Sequence, residues 1–119
     1  MLIAALLAVS AATCHASDGD TINCAGQRYR LLGIDAPELH GCRPGRRCVV
    51  GDARASQRSL AQQLRGSLTI VPIKRDVYDR VVAQVYAQGS NLACEQLRRR
   101  MAEYKPKWDD GSRLRQECN

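Results

Sequence analysis

The order of segments in this sequence predicts an α+β fold that is mainly β: a small five-stranded barrel with helical plugs. Three observations predict it. Short strand-like segments crowd the first third of the chain, a helix-period stretch separates them from two longer strand-like segments, and a second helix-period stretch follows near the end. At 119 residues there is room for one domain and none for a second core. Hydrophobic residues at 45% and charged residues at 25% exclude disorder as the default. With one Trp, four Tyr and no Phe, the core must come from Leu, Ile, Val and Ala, so covalent staples would help a small domain.

The elements are justified in order. Met1 to Ser17 carries no charged side chain at neutral pH, and Leu2 to Val9 is nearly all apolar. That run falls short of the roughly 20 apolar residues needed to span a bilayer. It reads as the apolar stretch of a signal peptide, with Ser10-Ala11-Ala12 as cleavage site, which divides the chain into a leader over 1–12 and a domain over 13–119. No Lys or Arg precedes the apolar run, and a buried first strand or helix is the rival reading. Lipid attachment at Cys14 is disfavoured by Thr13 before it.

Thr13 to Ser17 can pair with Thr21 to Cys24 across Asp18-Gly19, and Gln27 to Leu32 follows through an Ala25-Gly26 turn. Asp35-Ala36-Pro37-Glu38 is a turn, because Pro cannot continue a ladder and restrains the residue before it. His40 to Gly51 is a loop. Asp52 caps a helix with Ala53, Ser56, Leu60, Ala61 and Leu64 on one face, and Gly66 sits where a C-terminal cap belongs. Leu68 to Ile73 and Val81 to Tyr86 are strands around a polar turn, Lys74 to Arg80. Asn91 caps a second helix from Leu92 to about Met101, and the tail after Tyr104 reads as irregular.

Six cysteines in a short, apparently exported chain read as a disulfide framework with 15 possible connectivities. Zinc is the rival, but there is no Cys-x-x-Cys pair and only His15 and His40 could assist. The preferred pairs are Cys14–Cys24, symmetric about Gly19, and Cys42–Cys48, closing a short loop; Cys94–Cys118 follows by elimination. The net charge of +6 attracts polyanions, of which nucleic acid is the commonest, without requiring one.

The chemistry lies in a few blocks. Asp20 and Asp35 stand at the ends of neighbouring strand-like segments, where a barrel rim could join them. Two carboxylates with a turn carbonyl form a hard oxygen site suited to Ca²⁺ or Mg²⁺. Glu38 follows within one turn, close enough to address a water near such an ion. Arg30 and Arg80 offer planar forks matched to phosphate oxygens. Each fragment alone is ordinary: Asp-Gly and Asp-Ala-Pro-Glu usually mark turns, and a lone strand Arg is usually solvated. Metal ligands, a carboxylate base and paired arginines are together the set that phosphodiester hydrolysis requires.

Asp18-Gly19-Asp20-Thr21, then Arg30-Leu31-Leu32-Gly33-Ile34-Asp35-Ala36-Pro37-Glu38, then Asp76-x-Tyr78-x-Arg80 resembles the staphylococcal nuclease (thermonuclease) family, over about Asp18 to Tyr104. The resemblance implies an OB-fold, a five-stranded Greek-key barrel with two or three helices, and Ca²⁺-dependent cleavage of DNA and RNA to 3′-phosphorylated products, with single strands preferred. It implies that Asp20 and Asp35 bind Ca²⁺ through carboxylates and Ala36 through its carbonyl. Glu38 would be general base, Arg30 and Arg80 would hold the phosphate, Tyr104 would contact the substrate base, and Asp18 would stand behind the metal ligands. A secreted or periplasmic monomer, free of the membrane once the leader is gone, completes the expectation.

Departures from the family pattern are specific. Asp79 replaces the usual Gly between Tyr78 and Arg80, and its charge could pair with Arg80. The first strand is short, which a Cys14–Cys24 bridge could offset. Arg100 stands near the place of a helix-ending Gly. Arg98-Arg99-Arg100 reads as a solvated helix face. For Arg43, Arg46 and Arg47, in the loop after Glu38, phosphate contact and plain solvation are both open. Trp108 reads as a core cover, and the histidines as surface groups. The rival function is a non-catalytic OB-fold module that binds nucleic acid or protein.

Overall fold

A computed structural model of the chain describes residues 5–118. The expected leader therefore lies partly outside the described residues. Within them, Leu7–Ser10 form a short strand, β1, paired antiparallel with Ser67–Ile70 of a later strand. Leu6 and Leu7 remain exposed, while Ala11, in the one-turn helix that follows, is buried.

The strands expected from the sequence are present as β2 (Cys14–Ala16), β3 (Thr21–Cys24), β4 (Gln27–Leu31), β6 (Ser67–Arg75) and β7 (Val81–Ala87). With β1 at one edge they form a curled half-barrel in the order β1-β6-β7-β4-β3-β2, and β8 (Ser90–Asn91) adds to β7. β5 (Ile34–Asp35) pairs separately with β9 (Glu103–Tyr104). The fold is α+β and mainly sheet, consistent with the OB-like barrel expected.

The period of two explains which face is inside. On β4, Tyr29 and Leu31 are buried while Arg28 is exposed and Arg30 half-buried. On β6, Leu68 and Ile70 point inward between exposed Ser67 and Thr69. Pro72 has no N–H for the ladder, and the β6–β7 register slips between Pro72 and Lys74. Ile22, Leu31, Ile34, Leu60, Leu68, Ile70, Val85, Leu92 and Leu114 form the buried centre, an aliphatic core as the composition required.

Asp52 caps α1 (Ala53–Gln63) by accepting from Ala55 N at 3.0 Å. Its buried face differs from the expected one: Ser56, Ser59, Leu60 and Gln63 are inside, and Ala61 is exposed. The cause is Gln96 on α2 (Leu92–Arg98). Fully buried, it accepts from Ser59 Oγ and Gln63 Nε2 and donates to Gly19 O and Ser56 O, so a polar helix face has partners inside.

The tail is not irregular. After turns at Pro106–Trp108 and Asp110–Ser112 it forms α3 (Arg113–Glu117), whose Leu114 is fully buried. All three expected disulfides are formed, Cys14–Cys24, Cys42–Cys48 and Cys94–Cys118. Cys14 and Cys24 stand directly opposite each other in the β2–β3 register, which explains their 4.0 Å Cα separation.

Candidate active site

The β3–β4 hairpin sets the first contact. Thr21 faces Arg30 in its register, so Asp20 at the entry to β3 comes beside the Arg30 side chain. Arg30 Nη1 lies 3.0 Å from Asp20 Oδ1. Its Nη2 donates to Ile34 O at 3.0 Å and reaches Asp35 Oδ1 at 3.4 Å. Ala36 N donates to Asp20 Oδ2 at 2.8 Å, which seats the Asp35-Ala36 peptide against the same carboxylate. One guanidinium therefore joins the two buried aspartates that the motif separates by fifteen positions.

Burial makes these charges interact strongly. Burial raises the Asp20 carboxyl, but the Arg30 charge and hydrogen bonds from Asp18, Ala36 and Thr21 outweigh it and hold the group below its usual range. Asp18, which accepts from Asp20 N, is pushed up to about 7 by burial and by the negative Asp20 beside it. Asp35 is raised as well, because burial and Asp20 together outweigh Arg30 and Arg46.

Glu38 joins this cluster through Arg46. Arg46 Nη2 is 3.2 Å from Asp35 Oδ1, and its Nη1 pairs with Glu38 Oε1. Asp20, Asp35, Arg30 and Glu38 thus share one chain of contacts. Arg80 does not join it. The parallel β4–β7 pairing sets Arg30 opposite Val82, which brings the turn carrying Arg80, just before β7, next to β4. Its guanidinium is turned to Asp76, with Nε 2.8 Å from Oδ2, and lies over the Tyr78 ring at 5.2 Å.

Two expectations change here, those for Asp79 and Trp108. Asp79 pairs with Arg75 at 2.9 Å, not with Arg80, because Asp76 already accepts from Arg80 N and Nε. Trp108 does not cover the core. It is 40% exposed and lies over Arg30, 5.1 Å from Cζ to the ring centroid. Tyr104 sits opposite Ile34 in the β5–β9 pair, and its hydroxyl donates to the buried Asp109 at 2.6 Å. Nothing in the sequence marks Gln96 or Asp109 as buried, and the loop of three arginines does not single out Arg46. The Pro44-Gly45 pair between Cys42 and Cys48 was the available signal for Arg46.

The family model of staphylococcal nuclease homologues matches residues 28–118. The chain belongs to this family. The match contains Arg30, Asp35, Ala36, Glu38, Arg80 and Tyr104, and the Asp18-Gly19-Asp20 turn precedes it. No curated protein matches the chain. In this staphylococcal nuclease homologue, no helix among the described residues is long and apolar enough to cross a membrane.

Among the described residues, no three His, Cys, Asp or Glu side chains are grouped as a ready metal cage. The ligand set implied by the resemblance asks for fewer, two carboxylates and a backbone carbonyl. The donors are hard oxygens of the kind a divalent cation takes, and beside them burial and the negative Asp20 push Asp18 up to about 7.

Proposed function

We propose that the chain is an exported Ca²⁺-dependent nuclease that hydrolyses DNA and RNA, preferably single-stranded, to 3′-phosphorylated products. Residues 1–12 are its leader, whose removal would take the β1 edge strand and Ala11 with it, and the mature protein works as a monomer outside the cytoplasm, where its three disulfides persist. The observation that carries the reading is the Arg30 bridge between Asp20 and Asp35 on a chain of this family.

Asp20, Asp35 and the Ala36 carbonyl would hold Ca²⁺, which when bound supplies charge neutralisation at the scissile phosphate. Glu38 takes the proton of the attacking water; such a base contributes roughly 10²–10⁴-fold. Arg30 donates to a phosphate oxygen, and its hydrogen bonds strengthen as charge builds in the transition state. Arg80 adds a second fork once it leaves Asp76. Trp108 lies over Arg30 and offers aromatic surface to a base, and Tyr104, on the strand paired with Ile34–Asp35, is the second candidate.

The test is digestion of single-stranded DNA by protein freed of metal and titrated with Ca²⁺. Wild type should gain activity with Ca²⁺ and lose it to a chelator, and Glu38→Ala should fall by about 10²–10⁴-fold. Intact DNA after long incubation of wild type with Ca²⁺ would reject the reading. The rival, a non-catalytic nucleic-acid- or protein-binding module, draws on one observation: Glu38 and Arg80 are both engaged, by Arg46 and Asp76. It requires DNA binding without turnover, indifferent to Glu38→Ala.

A further inference from the structure

Resting on that reading, we infer that Arg46 is a third phosphate-binding arginine, parked on Asp35 and Glu38 until a nucleotide phosphate takes its fork. The loop that carries it is built to present one side chain. Cys42–Cys48 closes it across six positions. Inside, Arg43-Pro44-Gly45-Arg46 form a tight turn with Pro at its second position, Gly45 at φ 79° and Arg46 N donating to Arg43 O at 3.1 Å. Those are the requirements of a type II turn, so the Arg46 backbone is fixed by a bridge and a proline together.

The loop holds three arginines and singles out one. Arg43 and Arg47 are exposed and make no ion pair among the described residues. Arg46 spans the two carboxylates, with Nη1 on Glu38 and Nη2 on Asp35. A surface counter-ion needs neither a bridged loop nor contact with a buried aspartate. Arg46 also keeps access to solvent: its side chain is 37% exposed, against 12% for Arg30. A divalent cation at Asp20 and Asp35 would repel the guanidinium, and the incoming phosphate is the anion nearest to receive it. The transfer frees Glu38 as substrate arrives, so the base is uncovered by the group it acts on.

Two binding constants read this out without turnover: Ca²⁺ alone, followed by fluorescence of the single tryptophan over Arg30, and thymidine 3′-phosphate at saturating Ca²⁺, by calorimetry. Arg46→Ala should tighten Ca²⁺ roughly 3–10-fold, because a competing positive charge is gone. It should weaken thymidine 3′-phosphate about 10–100-fold, the span of a lost charged hydrogen bond. Arg46→Lys separates charge from geometry. It should leave Ca²⁺ affinity near wild type yet weaken the nucleotide, since an ammonium cannot present the fork. Unchanged nucleotide affinity in folded Arg46→Ala or Arg46→Lys, with wild type binding both ligands, overturns the role of Arg46 alone. Wild type that binds neither ligand overturns the nuclease reading with it.

Discussion

A Cβ at Gly19 would stand 1.7 Å from Ser56 Oγ and 2.8 Å from Ala36 Cβ. Ser56 cannot step aside freely, because its hydroxyl donates to Met101 O at 2.6 Å. Gly19 O also accepts from the buried Gln96. The glycine is therefore a contact between the Asp18-to-Asp20 turn, α1 and Ala36. Gly19→Ala should lower stability by about 1–3 kcal/mol, the usual cost of overpacking. It should also weaken Ca²⁺, because Asp20 is the next residue. A melting curve and a Ca²⁺ titration check both, and a variant matching wild type in each would refute the contact's importance. The sequence showed Asp18-Gly19-Asp20 as a turn and as part of a motif. It could not show that packing, and not backbone freedom, demands the glycine, because Ser56 lies 37 positions away. Trp108 teaches the same lesson: a lone aromatic in a polar tail gives no hint that Arg30 lies beneath it.

Both helix starts were readable, and so was the end of α1 near Gly66, but not the end of α2. Asp52 and Asn91 cap α1 and α2 as their side-chain chemistry predicts, Asn91 Oδ1 accepting from Ala93 N and Cys94 N. The second helix was expected to reach about Met101 and stops at Arg98. There Arg100 takes φ 59°, its N–H donates to Leu97 O at 3.0 Å, and Met101 N donates to Gln96 O at 2.8 Å. That pair of bonds is a Schellman closure, which ordinarily announces itself by glycine. Arginine in its place sends no local signal, so only the family pattern marks Arg100 as standing near a helix-ending Gly, and it bears the left-handed penalty of roughly 1–2 kcal/mol. Arg100→Gly should therefore stabilise the protein by about 1 kcal/mol and raise Tm by a few degrees. Arg100→Ala should give no such gain. Denaturant titration of the two variants checks this, and equal midpoints would show that the strain is absent. The same shortness hid α3: five residues with one buried side chain carry no helical period to detect.

At the scale of the molecule, the five strands and the three bridges could be read, but not the parallel β4–β7 pairing that brings the Arg80 turn alongside Arg30. Such a pairing joins segments far apart in sequence, and neither carries a mark of its partner. The tail is the other long-range feature. Leu114 packs beside Gly33, Asp109 accepts from Tyr104 Oη, Leu114 N and Arg115 N, and Glu117 accepts from Tyr86 Oη. Cys94–Cys118 then closes a separation of 24 residues over these contacts. A loop of that length removes enough freedom from the unfolded chain to stabilise the fold by roughly 3.5 kcal/mol. Replacing both cysteines by alanine should lower Tm by about 10–20 °C. Ca²⁺-dependent digestion at low temperature should survive, because Leu114 and Asp109 still hold the segment that carries Trp108. Calorimetry beside a digestion assay tests both halves. An unchanged Tm would mean that the side-chain anchors already fix the tail, and lost activity at low temperature would mean that the bridge itself shapes the site.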